Sequence, residues 1–251
     1  GLLFALPVCA KDSRIDIPEL VSKAYIDLSI DVMYRFGVKV KNREYSRFII
    51  PGGQRYESPG TIEAEADWSS AAVWIVAAAL CGNVTLDNLN PYSRQADRCI
   101  LQILSAAAVP YTFENGVLQV GAATPKAFDT DIRHCPDLFA AIVPLALAAN
   151  GTSRIHGIDR LTNKESDRLQ AILTEYHRMG AKTHTEGNVL VLESTPLEFA
   201  EVNAHNDHRM VMSLVVAGLA NKGVKISGVE AIRKSYPGFF DDLKSIGGKI
   251  Y

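Results

Sequence analysis

The sequence predicts an α/β protein assembled from copies of one β-α-β-α-β-β unit about seventy residues long. Three observations carry this. Helix ends read alike at Arg35-Phe36-Gly37-Val38-Lys39, Arg178-Met179-Gly180-Ala181-Lys182 and Ser245-Ile246-Gly247-Gly248-Lys249, with a degenerate copy at 105–109 that has Ala108 in the glycine place. The successive spacings are 71, 72 and 67 residues. Short apolar or β-branched stretches follow a polar turn at 83–89, 152–158 and 223–229, and each comes after a helical segment apolar nearly all round, at 69–80, 137–149 and 207–220. Finally, 47% of the 251 residues are hydrophobic and 22% charged, enough to build a core and too apolar for a disordered chain.

The elements follow in order. The chain opens on a helix (1–8), a strand (14–17), a helix (24–36) and two strands ending near Ile50. The Pro/Gly-rich stretch from Pro51-Gly52-Gly53 to Pro59-Gly60 reads as a linker. It separates a first lobe, 1–64, from a second, 65–251. Two complete units are expected at 61–121 and 127–193, and a last one starts near Ala200 and stops after its second helix. The sequence therefore reads as a fragment that begins inside one unit and ends short of another. Helices apolar on all sides belong inside the protein. The second helix of a unit is amphipathic instead, as in the stripe Leu169, Ile172, Leu173, Tyr176 and Met179. The residue after each helix needs a left-handed backbone, which explains the repeated glycine.

Charge narrows the function. Lys plus Arg number 26 and Asp plus Glu 28, a net charge of −2. Nucleic-acid binders driven by phosphate attraction are basic, so any anion site must be local. The cysteines Cys9, Cys81, Cys99 and Cys135 form no CxxC pair and read as reduced thiols of a cytoplasmic protein. The longest apolar runs, such as 71–80, are too short to span a bilayer, and residues 1–10 lack the basic leader of a signal peptide.

Candidate chemistry lies at helix starts. Asp67, Asp137 and Asp207 recur at intervals of 70 residues. Asp67 and Asp207 read as N-caps, which satisfy free amides and suit the helix dipole. Asp137 follows Cys135-Pro136, and proline favours the first helical position. Asp137 then lies in the first turn with its carboxylate available for other work. Thr162 and Glu165 fit a capping box. Lys164 and Arg168 oppose the dipole there, as do His208 and Arg209 at the next helix, Lys234 before the last one and Ser22-Lys23 before 24–36. Repeated cations at helix N-termini point to anions held by free amides and bidentate Arg. No GxGxxG, P-loop, HExxH or GxSxG is present. His205 and His208 lack further ligands for a metal, and Trp68 and Trp74 read as packing.

Taken together, LVSKAYIDLSIDVMYRFGV (20–38), GGQRYESPG (52–60), EADWSSAA (65–72), CPDLFAAI (135–142), NKESDRL (163–169), NDHRM (206–210) and RKSYPGFF (233–240) resemble the 5-enolpyruvylshikimate-3-phosphate synthase family over essentially the whole chain. The resemblance implies the enolpyruvyl transferase fold, an inside-out α/β barrel of two lobes, the first incomplete here. It implies transfer of the enolpyruvyl group of phosphoenolpyruvate to the 5-hydroxyl of shikimate 3-phosphate in aromatic amino acid biosynthesis, without cofactor or metal. The implied catalytic residues are Asp137, as base toward the 5-hydroxyl, and Glu165, at the methylene of phosphoenolpyruvate. Lys164, Ser22 and Tyr25 would contact the shikimate side. Arg168, Arg209 and Lys234 would hold phosphoenolpyruvate, with His208 nearby, and Arg160 joins the substrate-binding set. The implied partners are the two substrates, with no nucleic acid and no membrane, and the enzyme would be a cytoplasmic monomer.

Two departures, Ala24 for the usual proline and Ala66-Asp67-Trp68 for Gly-Asp-Ala, leave the chemistry open. The family's early Lys-Ser and Arg positions, its glycine-rich loop and its Ser-Ser-Gln motif have no counterpart, so this chain alone is expected to be inactive or nearly so. Two rival readings are a UDP-N-acetylglucosamine enolpyruvyl transferase, which usually carries a loop cysteine not seen here, and a non-catalytic anion-binding module.

Overall fold

The computed structural model describes residues 1–162 and 164–251; Asn163, which opens the NKESDRL stretch, lies outside them. The chain forms two units, Gly1–Glu65 with Tyr92–Ala96, and Ala66–Pro91 with Asp97–Tyr251.

In the first unit, α1 (Leu2–Ala5) gives way to a 3-10 turn at Leu6–Val8. The expected single helix over 1–8 is broken because Pro7 has no N–H to continue it. Strand β1 (Ser13–Asp16), helix α2 (Lys23–Arg35) and strands β2 (Lys41–Arg43) and β3 (Arg47–Ile50) follow within a residue or so of expectation. The sheet runs β1-β3-β2, antiparallel throughout, with Ser13 opposite Ile50 and Lys41 opposite Ile49. Alternation along β3 sends Phe48 and Ile50 inward, onto Leu3, Met33 and Val38.

The second unit begins with α3 (Trp68–Cys81), β4 (Val84–Leu86), α4 (Ile100–Ala106), β5 (Tyr111–Glu114) and β6 (Val117–Val120). The three strands pair antiparallel in the order β4-β6-β5. The opening strand expected for a complete unit at 61–121 is not formed: residues 61–67 take no regular secondary structure and are divided between the two units at Glu65 and Ala66.

The next copy is complete. It runs β7 (Asp129–Asp131), α5 (Phe139–Ala148), β8 (Thr152–His156), α6 (Arg168–Arg178), β9 (Lys182–Glu186) and β10 (Val189–Glu193). The sheet order is β7-β8-β10-β9, parallel between β7 and β8 and antiparallel elsewhere. The last copy has β11 (Glu201–Asn203), α7 (His208–Leu219), β12 (Lys225–Ser227), parallel to β11, and α8 (Phe239–Ser245).

The three helices expected to be apolar all round, α3, α5 and α7, pack against one another at the centre. Both tryptophans serve this packing: Trp68 is buried, and Trp74 stacks on Phe239 with ring centres 4.9 Å apart. Helix α6 is amphipathic as its stripe requires, with Ile172, Tyr176 and Met179 buried.

The repeated helix end is real in all four places. Gly37, Ala108, Gly180 and Gly247 have φ of +81°, +55°, +85° and +95°. In each, the following N–H donates to the carbonyl five residues back: Val38 to Met33, Val109 to Leu104, Ala181 to Tyr176 and Gly248 to Leu243, at 2.8–2.9 Å. This is the glycine-terminated helix end that consumes orphan carbonyls. Ala108 adopts the same left-handed conformation at a cost of about 1 kcal/mol for its Cβ.

Candidate active site

The site is built from helix starts of the second unit. Asp67 caps α3, accepting the N–H groups of Ser69 and Ser70 at 3.0 and 3.1 Å. Asp207 caps α7, accepting the Arg209 N–H at 2.9 Å. Asp137 lies in a 3-10 turn, Pro136–Leu138, that leads into α5; the N-cap positions of the turn and of α5 are Cys135 and Leu138, not Asp137. The helix that begins within NKESDRL differs from expectation. It starts at Arg168, five residues later than a capping box at Thr162 and Glu165 requires. Asp167 is the cap, accepting the Gln170 N–H at 3.1 Å, because a short carboxylate two or three residues before a free amide satisfies it directly. Lys164 therefore stands in the bend before the helix, and Glu165 is released from capping and turns to Arg168.

Arg168, the first residue of α6, is the hub. Its side chain has 0% exposure, and its guanidinium reaches three carboxylates. Nε donates to Asp207 Oδ2 at 2.9 Å and Nη1 to Asp137 Oδ1 at 3.2 Å, while Nη2 donates to Glu165 and, at 3.3 Å, to Asp207 Oδ1. A buried guanidinium is tolerated only when its donors are satisfied in this way. Ser166 Oγ adds a bond to Asp207 Oδ2 at 3.1 Å. Burial acts to raise the Asp207 carboxyl pKa, but its bonds to Arg168 outweigh that and hold it below the usual range.

Asp137 sits inside a ring of cations. Lys164 Nζ is 3.1 Å from Oδ1, and Arg209 Nη2 is 3.4 Å from Oδ2 while its Nη1 donates to the Asp137 carbonyl at 3.3 Å. Burial pushes this carboxyl up, yet Arg209, Lys164 and Arg168 together bring it below its ordinary value, so it is ionised. Lys164, Asp137 and Arg209 side chains keep 15–24% exposure, and Glu165 keeps 41%. The ring thus opens on solvent while Arg168 and Asp207 form its floor.

His208 is nearly buried, its Nδ1 without a hydrogen-bond partner among the described residues and 4.0 Å from Asp207 Oδ1. Burial and the Arg209 charge lower its pKa, which keeps the imidazole neutral at pH 7. Lys234 Nζ donates to the Asn206 carbonyl, at 2.6 Å, in the loop that leads into α7. Arg160 is exposed, in the 3-10 turn Ile158–Leu161. Ser22 and Tyr25 belong to the first unit. There Ser22 precedes α2 in a left-handed conformation (φ +59°), and Tyr25 stands exposed in its first turn. His205 bonds Glu175 at 2.7 Å. Among the described residues no His, Cys, Asp and Glu side chains group to hold a metal ion, and no helix is long and apolar enough to cross a membrane.

One buried acid escapes sequence reasoning. Asp97, 2% exposed, accepts a bond from Ser69 Oγ, and its Oδ1 has no partner among the described residues. Burial raises its pKa to about 6, against the smaller opposing pulls of Ser69 and Arg209; the Asp137 charge pushes the same way as burial. The repeat carries a signal for it, since Asp97 stands 70 residues before Asp167.

Repeated β-α-β-α-β-β units that deliver cations and acids from successive helix starts to one patch define the enolpyruvyl transferase class of fold. The chain superposes on the enolpyruvyl transferase NikO of Streptomyces tendae with a TM-score of 0.76 over 98% of its length, at 15% identity, a likeness of fold alone. It belongs to the EPSP synthase (3-phosphoshikimate 1-carboxyvinyltransferase) family, whose model matches residues 1–243. It is 38% identical to the 3-phosphoshikimate 1-carboxyvinyltransferase of Clostridium kluyveri and 37% identical to that of Clostridium acetobutylicum, in both cases over 100% of this chain and 59% of the relative. An EPSP synthase structure from Acinetobacter baumannii matches with a TM-score of 0.79 and 25% identity, over 94% of this chain and 57% of that one. The chain thus spans about three fifths of the length of the relatives it matches.

Proposed function

We propose that this chain carries the proton-transfer and phosphoenolpyruvate-holding part of an enzyme that moves the enolpyruvyl group onto the 5-hydroxyl of shikimate 3-phosphate, acting in the cytoplasm as a monomer. The observation that carries the reading is one ionised acid, Asp137, ringed by Lys164, Arg168 and Arg209, with Glu165 bonded to the same guanidinium.

The chemistry follows from charge. Without substrate, the cations are neutralised by Asp137, Glu165 and Asp207. An arriving phosphate and carboxylate compete for Lys164 and Arg209. As those charges turn to the ligand, Asp137 loses the attraction that depresses its pKa and becomes a stronger base. It then takes the 5-hydroxyl proton as the oxygen attacks C2 of phosphoenolpyruvate. Glu165, ion-paired with Arg168 in the free chain and 41% exposed, takes up a proton from solvent as substrate binds and delivers it to C3, giving a tetrahedral intermediate. In the second half Glu165 takes a C3 proton back as the C2–O bond to phosphate breaks, and the proton held by Asp137 passes to the departing phosphate. The cations stabilise the anionic intermediate from a half-buried site, where they act more strongly than in water. In this reading Ser22 and Tyr25 are candidates for contacts to the shikimate substrate, Arg160 belongs to the substrate-binding set, and Lys234 and His208 serve phosphoenolpyruvate; the lobe boundary is placed near 64.

The test uses the complete enzyme that contains this chain. Turnover with both substrates is expected, and D137N and E165Q are expected to abolish most of it while leaving phosphoenolpyruvate binding within severalfold. Unchanged turnover in both variants overturns the reading, and so does a complete chain that binds without turning over, as a non-catalytic module would.

A further inference from the structure

Two of the four cysteines are paired in space but not in sequence. Cys99 closes the 3-10 turn Ala96–Cys99, and Cys135 stands immediately before the turn Pro136–Leu138. Their sulfur atoms are 2.8 Å apart, and both are free thiols. Closing that gap to a disulfide needs a movement of about 0.8 Å. Their surroundings differ: Cys135 is buried, whereas Cys99 keeps partial solvent access. The other two cysteines, Cys9 and Cys81, are both exposed and have no sulfur partner among the described residues.

We propose that Cys99 and Cys135 form an oxidation site that a peroxide converts into an intramolecular disulfide. Cys99 is the sulfur a small oxidant can reach. Its thiolate attacks one peroxide oxygen, the O–O bond breaks, and a sulfenic acid and hydroxide result. Cys135 then attacks the Cys99 sulfur, and the displaced hydroxyl leaves with the Cys135 proton as water. Overall, two thiols and one hydrogen peroxide give one disulfide and two waters. The hydrogen bond to Cys99, with burial, raises the Cys135 pKa, so this thiol stays protonated and inert until its neighbour has been oxidised. The preset sulfur-to-sulfur contact makes the second step effectively unimolecular. The bond would join two turns that each carry a buried or half-buried acid, Asp97 two residues before Cys99 and Asp137 two residues after Cys135. The inference does not rest on the enzymatic reading.

The experiment treats the folded chain with stoichiometric hydrogen peroxide, blocks remaining thiols with N-ethylmaleimide and maps tryptic peptides without reduction. Cleavage after Arg98, Lys126, Arg133 and Arg154 puts the two cysteines on separate peptides. Expected is a linked 99–126/134–154 pair, two hydrogens lighter than its parts and dissolved by dithiothreitol, with Cys9 and Cys81 still able to take the label. In C135S the link is lost and Cys99 traps as sulfenic acid with dimedone. If Cys99 and Cys135 both remain fully labelled after treatment, or if Cys99 links to Cys9 or Cys81 instead, the proposal fails. The parent mapping decides the matter even if C135S does not fold.

Discussion

Replacing Asp207 by Asn tests the floor of the site most sharply. The side chain keeps its shape, and its oxygen can still accept the Arg209 N–H that caps α7. What disappears is the charge opposite a guanidinium with 0% exposure. Breaking a buried pair from one side costs about 3 to 5 kcal/mol, because the remaining charge stays out of water. Arg168 retains Glu165 and Asp137, so the lower end, about 3 kcal/mol, applies. With an unfolding entropy of about 2.1 cal/mol/K per residue over the roughly 180 residues of the second unit, Tm should fall by about 8 °C. Calorimetry at pH 7 reads this directly. The pH dependence has a definite sign. The folded Asp207 carboxyl lies below its unfolded value, so its contribution is present above that unfolded value, near 3.9, and is lost as pH falls through the folded one. The gap between parent and D207N should therefore close in acid. A Tm within about 2 °C of the parent at pH 7 would refute the reasoning.

Other expectations follow from single observations. A108G should raise unfolding free energy by about 1 kcal/mol, since the left-handed conformation is free to glycine and Ala108 is exposed; chemical denaturation with an unchanged m-value checks it. Burial lifts the folded pKa of Asp97 to about 6, above the 3.8 of an exposed aspartate, so the folded state gains stability as pH falls from about 6 to 4. That window is worth up to about 3 kcal/mol, and in D97N melts across it should lose that slope, whereas an unchanged slope would assign it elsewhere. In the complete enzyme, E165Q should lower kcat by about two to four orders of magnitude, the usual worth of a positioned proton donor, with a much smaller change in substrate affinity.

Much of this architecture is legible in the residues. The glycine after each second helix is a backbone requirement, and its period of about seventy residues therefore exposes the repeat, even where Ala108 stands in. The fully apolar helices announce their burial, and Asp67 and Asp207 announce their caps. The capping box that Thr162 and Glu165 suggest does not set the helix start, because Thr-x-x-Glu is a local pattern, while the start is decided by Asp167 and by the long-range pull of Asp207 on Arg168. The same tertiary pairing hides in the sequence the burial of Arg168, a residue type that normally stays wet. Asp97 and the contact between Cys99 and Cys135 are invisible locally because each joins residues about thirty positions apart. The missing strand at 61–67 has the same origin, since the repeat can propose a strand there and only a neighbouring strand can pair it.

The central claim is that successive helix starts gather Lys164, Arg168, His208 and Arg209 around a small anion beside Asp137 and Glu165. Titrating the isotope-labelled chain with phosphoenolpyruvate to millimolar concentration, and following amide resonances by NMR, tests it most directly. Saturable shifts concentrated at 137–138, 164–168 and 207–209, and abolished in R209A, are the expected result. Shifts absent from those three segments, or undiminished in R209A, would contradict it.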